Sequence, residues 1–122
     1  MNPRPFYFAI ASTLSLLTAD GALLAKPADA GRTLAIEGCG GCHQVIPQQK
    51  RPPPVSEGEE GAWTEAPTFM AIANRCLSAS ELKAAIVNPH YPMREQLLMP
   101  IDVDNLAVYI RSLATRPGCP IR

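Results

Sequence analysis

The pentapeptide Cys39-Gly40-Gly41-Cys42-His43 constrains this chain more than any other stretch. Two thiols three residues apart, with an imidazole directly after the second, are what covalent c-type haem attachment requires. Each thiol forms a thioether to one vinyl group, and the turn of helix between them delivers His43 to one face of the iron. A chain carrying this motif has to enclose a flat apolar ring, so its other elements are expected to gather around Cys39, Cys42 and His43.

A CxxC pair also suits a zinc knuckle or a redox dithiol. Zinc wants four ligands at compatible spacing, and Cys76, His90 and Cys119 form no second paired knuckle. A dithiol protein wants a strand ahead of the motif within a βαβ pattern, whereas Gly31 to Gly38 reads as helix. Two inert buried cysteines would leave the adjacent histidine unexplained.

The amino terminus carries a different pattern. Arg4 provides a positive start, Phe6 to Leu17 is apolar apart from small hydroxyl residues, and alanine-rich sequence follows. This reads as a secretory signal peptide over residues 1–25, cut after Ala25, with Ala19 and Ala30 as alternative sites. The apolar run is closer to a signal core than to the roughly 20 residues that span a bilayer, so an uncleaved anchor is the lesser reading. Residues 26–122 then form one small domain, expected in the periplasm. It carries ten basic and ten acidic side chains, which gives no strong attraction to nucleic acid or to a membrane unless the signal segment stays attached. So short a chain has a marginal apolar core, and a covalently held macrocycle would add to it.

Four helices are expected. The first runs from about Ala28 to Cys42, with Leu34 and Ile36 as apolar contacts and the motif in its last turn. Gly38, Gly40 and Gly41 each cost about 1 kcal/mol of helix relative to alanine, but their bare backbone lets the chain approach a flat ring. From Gln44 to Glu65, Pro47, Pro52-Pro53-Pro54, Gly58 and Gly61 prescribe a long loop with an acidic patch at Glu57, Glu59 and Glu60. A loop of that length belongs in a small domain if it wraps something, here a haem edge.

The second helix is expected over Ala66 to Asn74, with Pro67 in its first turn and Phe69, Met70, Ile72 and Ala73 available to pack. Ser78 and Glu81 make a capping box, and Leu77 with Leu82 a hydrophobic staple, for a third helix from Ala79 to Val87 that Asn88-Pro89 ends. The last begins near Pro100, has Asp102 and Asp104 in its first turns, and carries Val103, Leu106, Ala107, Ile110 and Leu113 at helical spacing. Tyr109 sits beside that stripe, placed to pack its ring while its hydroxyl finds a polar partner. No alternating strand pattern stands out, so the fold class is all-α.

Read together, these pieces resemble the small bacterial monohaem c-type cytochromes. The resemblance lies in Ala30-Gly31-Arg32 with Leu34-Ala35, the haem motif through Val45 and Pro47, Ala66-Pro67 with Phe69, Ile72 and Ala73, Pro89-His90 with Pro92-Met93, and Leu106 through Leu113. It implies helices wrapped around one covalently attached haem c per chain, with His43 as the proximal ligand. It further implies that the Pro47 carbonyl accepts a hydrogen bond from the other ring nitrogen of His43, which would fix the ring. Ile46 departs from the glycine that often precedes that proline.

For the distal ligand the family pattern PHxPM designates Met93. The Met-Pro pair often used in the family designates Met99-Pro100, so Met99 remains an alternative, with His90 a third. Met70 reads as core. Trp63, in the loop, is a candidate donor to a haem propionate, as aromatic residues are in similar cytochromes. Cys76 and Cys119, left over after haem attachment, are a candidate disulfide in an oxidising compartment.

The function expected is single-electron transfer in the periplasm between a redox protein donor and acceptor, with no substrate turned over. Alternatives are a haem subunit of a periplasmic dehydrogenase or respiratory complex, an open-site haem enzyme or gas sensor if neither methionine ligates, and a non-haem metal or dithiol protein.

Overall fold

A computed structural model describes residues 26–56, 63–89, 93 and 95–119. The expected signal segment 1–25, His90 and the side chain of Trp63 lie outside the described residues, and so do the expectations that rest on them. The order of elements is α1 (Pro27–Leu34) running into a π-helical turn (Ala35–Cys39), strands β1 (Val55–Ser56) and β2 (Trp63–Thr64), then α2 (Phe69–Ala73), α3 (Ala79–Val87) and α4 (Pro100–Ser112). The all-α expectation holds. The strands make only a two-residue antiparallel ladder, Val55 opposite Thr64 and Ser56 opposite Trp63.

Helix α4 is the hub, with α1, α2 and α3 all packed against it. Val103, Leu106, Ala107, Tyr109 and Ile110 are its buried residues, following the stripe seen in the sequence. Their common core takes in Ala35, Val45, Phe69, Ala73 and Leu82. The crossing with α1 is close because small residues line it. Gly31 and Ala35, one turn apart, are both buried, and a Cβ on Gly31 would run into the Asn105 carbonyl and lie 2.8 Å from Tyr109 Cβ. Ile36, expected inside, is 42% exposed, since it lies about 100° around the helix from Ala35. The Tyr109 hydroxyl donates to the Val45 carbonyl at 2.7 Å, which satisfies a polar group that burial would otherwise leave costly.

Helix α3 starts as its capping box prescribes. The Glu81 N–H donates to Ser78 Oγ at 3.2 Å and the Ser78 N–H to the Glu81 carboxylate at 2.8 Å. Hydrogen bonds from the Ser78 side chain and then its backbone hold the Glu81 carboxyl below its ordinary range. Helix α4 begins at Pro100, where the Met99 N–H donates to Asp102 at 3.1 Å. Helix α2 is shorter than expected. Thr68 is its N-cap, its hydroxyl accepting from the Ala71 N–H at 3.0 Å, so Pro67 stays outside the first turn.

The chain beyond α4 is tied back to the end of α2. Asn74 Oδ1 accepts from the Thr115 and Arg116 N–H groups, each at 2.9 Å. Two residues on, a disulfide joins Cys76 to Cys119 across a sequence separation of 43, with Cα atoms 4.8 Å apart. No helix among the described residues is long and apolar enough to cross a membrane.

Candidate functional site

The motif closes as one turn at the carboxyl end of the π-helical segment. The N–H groups of Cys42 and His43 both donate to the Cys39 carbonyl, at 3.1 and 2.9 Å. The first helix was expected to stay regular to Cys42; instead it widens from Ala35 onwards, a distortion that clusters at functional sites. Gly40 suits the widening because a Cβ there would sit 2.6 Å from the Ile36 carbonyl oxygen. Its lack of a side chain thus leaves room for the backbone of the preceding turn.

Gln49 fastens the loop that follows. Its side-chain oxygen accepts from the Val45 N–H at 2.8 Å, while its Nε2 donates to the Gly40 carbonyl at 2.8 Å and to the His43 carbonyl at 3.3 Å. One glutamine thus spans the motif and its exit strand. No sequence pattern marks it.

The His43 ring is oriented from a different place than expected. Its Nδ1 lies 2.8 Å from the Pro67 carbonyl, and the Phe69 N–H donates to the Gln44 carbonyl at 3.0 Å, so the segment before α2 is stitched directly onto the motif. The Phe69 ring lies 5.5 Å from the imidazole, centroid to centroid. Pro47 does not accept this bond; its carbonyl receives Gln44 Nε2 at 3.2 Å. The reason is local. The Thr68 cap leaves Pro67 in extended chain with its carbonyl unclaimed, whereas the turn after Val45 folds Pro47 back onto Gln44. With Nδ1–H committed to Pro67, Nε2 is the nitrogen left to bind a metal.

Cys39 and His43 open onto an apolar cavity of about 150 Å³. Phe69, Ile72 and Leu77 line it from the α2 side, Leu82 and Ile86 from α3, and Leu106 and Ile110 from α4. Met93, Gln96 and Leu98 contribute from the segment before α4. Met99 does not line it and is 65% exposed. None of the described residues of the 44–65 loop lines it either, so the loop's described part does not wrap the cavity. Burial, and secondarily the Cys42 thiol, pushes the Cys39 thiol above its ordinary range, while Cys42 is exposed.

These groups fit haem: two free thiols at the motif spacing, an imidazole with one nitrogen left over, a thioether sulfur on the same cavity, and apolar walls for the macrocycle. They do not fit structural zinc. Cys76 and Cys119 are bonded to each other, and no three His, Cys, Asp or Glu side chains among the described residues converge. Of the residues singled out in the sequence, Cys39, His43 and Met93 line this one cavity and Cys42 is exposed, whereas the Pro67 and Gln49 hydrogen bonds and the place of Gln96 in the lining were not expected. The Ala66-Pro67-Thr68-Phe69 stretch was visible as a motif, and its proline could have been weighed as the acceptor.

A family model described as Cytochrome c matches residues 28–114. Among solved structures, the c-type cytochrome SorU from Sinorhizobium meliloti matches with a TM-score of 0.48 and 17% identity, over 74% of this chain and 97% of that one. No curated protein matches.

Proposed function

Because this chain belongs to the cytochrome c family and is therefore a haem-binding electron carrier, we propose that it works in the periplasm with one haem per chain, whose iron His43 and Met93 would hold. Haem bound here supplies an iron that takes up and releases one electron at a time. The observation that carries the ligand assignment is that Met93 lines the cavity shared by Cys39 and His43, whereas Met99 is a largely exposed residue at the start of α4.

Each residue then has a distinct task. Cys39 and Cys42 make the covalent links. Pro67, by accepting from Nδ1, fixes the His43 ring and raises the basicity of Nε2. The Met93 thioether would be the second protein ligand, and a thioether there would favour ferrous iron and raise the potential, which suits electron transfer over oxygen chemistry. No substrate is turned over.

Redox proteins serve as donor and acceptor. Leu97, Met99 and Ile101 are exposed apolar side chains next to the cavity-lining segment, and they suit brief docking of such proteins. The Arg4, Phe6–Leu17 and Ala25 pattern supports export and removal of residues 1–25. Expression with the periplasmic haem-maturation machinery, followed by haem staining of a denaturing gel and cell fractionation, tests this. A stained band of the processed mass in the periplasmic fraction is expected. An unstained or cytoplasmic product overturns it.

A further inference from the structure

A primary amide is the neutral side-chain end that offers an acceptor and two donors together. Gln49 uses all three around the motif turn. Its Oε1 accepts from the Val45 N–H at 2.8 Å, while its Nε2 donates to the Gly40 carbonyl at 2.8 Å and to the His43 carbonyl at 3.3 Å. The partners decide which end is which, since an N–H requires the oxygen and two carbonyls require the nitrogen. Lysine and arginine lack the acceptor, and an ionised glutamate lacks the donors.

The loop holds that amide in place. The Gln49 N–H donates to the Ile46 carbonyl at 3.2 Å, and Gln44 Nε2 donates to the Gln49 carbonyl at 2.9 Å and to the Pro47 carbonyl at 3.2 Å. Each glutamine thus grips the backbone beside the other. Gln49 is half-buried, so water competes less for its hydrogen bonds than it would at the open surface.

His43 is therefore held from two sides. At the ring, Nδ1 lies 2.8 Å from the Pro67 carbonyl. At the main chain, the His43 N–H donates to the Cys39 carbonyl at 2.9 Å and the His43 carbonyl receives Gln49. An imidazole is rigid, so while Nδ1 stays on Pro67 a shift of the main chain turns the ring about that hydrogen bond and redirects Nε2. We propose that Gln49 is a positioning residue for His43, setting from the main-chain side the plane that the imidazole presents to haem iron. This rests on the haem-binding reading above. Gln49 does not line the cavity, so it acts through the Gly40 and His43 carbonyls and not by touching the macrocycle.

The test follows the four haem methyl resonances of the ferric holoprotein by NMR, because the plane of the ligating imidazole divides unpaired spin unequally among the pyrroles. Gln49→Met, which fills similar space without these hydrogen bonds, should change the order or spacing of the resonances with covalent haem retained. Gln49→Glu, which keeps an acceptor but turns a carboxylate on two carbonyls, should change them as well. Gln48→Met, at the exposed neighbouring position, should leave them in place. In the unaltered holoprotein the Gln49 side-chain amide protons should exchange with water about tenfold more slowly than those of Gln48, near the upper end for one hydrogen bond, and this readout does not depend on a variant folding. Covalent haem whose methyl resonances ignore Gln49→Met or Gln49→Glu, or respond equally to Gln48→Met, overturns the positioning role alone, as do Gln49 amide protons that exchange as fast as those of Gln48. A chain without covalent haem overturns that role together with the function it rests on.

Discussion

Gly31→Ala is the change that most directly probes how the helices are held around the site. In isolation it favours α1, because alanine is about 1 kcal/mol better than glycine in a helix. At the crossing with α4 it does the reverse. The new methyl would collide with the Asn105 carbonyl and stand 2.8 Å from Tyr109 Cβ, about 1 Å inside the ordinary carbon–carbon contact distance. Neither atom belongs to a flexible side-chain end, so no rotamer change relieves the clash and the helices must separate. Overpacking of a well-filled interior costs about 1–3 kcal/mol, and separation also loosens Ala35 and Ala107, both buried in the core. The immovable obstacles put the cost at or above the top of that range, for a net loss of about 2 kcal/mol after the propensity gain. For a domain of roughly 100 residues this lowers Tm by about 8–16 °C. Thermal unfolding of the holoprotein followed by far-ultraviolet circular dichroism measures it. A variant as stable as the parent, or more stable, would mean that propensity dominates and that α1 and α4 do not cross at Gly31.

Tyr109→Phe leaves the Val45 carbonyl without its buried donor and should cost about 1–2 kcal/mol in guanidinium unfolding. Burial, opposed by Arg32, raises the Tyr109 pKa, so its contribution is complete below about pH 10 and is lost as pH rises through the raised value; Tyr109→Phe should lack that alkaline loss. Replacing Cys76 and Cys119 together by alanine opens a loop of sequence separation 43 and should cost up to about 4 kcal/mol, seen as a lower denaturant midpoint, whereas an unchanged midpoint would deny the bond a stabilising role. Because Cys76 has a φ of 58°, glycine in place of the alanine at 76 should recover roughly 1 kcal/mol.

What the sequence made legible was what short-range chemistry decides. The Ser78/Glu81 box fixed the start of α3, Pro100 that of α4, and the apolar stripe of α4 foretold its buried face, because each signal and its consequence lie within one or two turns. The His43 partner was not legible in that way. Pro47 and Pro67 are both prolines whose carbonyls could accept from the ring, and choosing between them requires knowing that the extended segment before α2 returns to the motif, a contact 24 residues apart. The π-helical turn escaped for a related reason. Its glycines weaken a regular helix, but only the position of the Ile36 carbonyl, where a side chain on Gly40 would collide with it, reveals the wider path. Gln49 carries no motif at all; its role exists only once the loop has folded back onto the motif.

The account turns on His43 and Met93 sharing one iron, and the weak red absorption band that marks methionine bound to ferric haem tests it most directly. The band should be present in the oxidised protein, persist in Met99→Ala and vanish in Met93→Ala with the covalent haem retained. A band that survives Met93→Ala, or is absent from the unaltered protein, would contradict it.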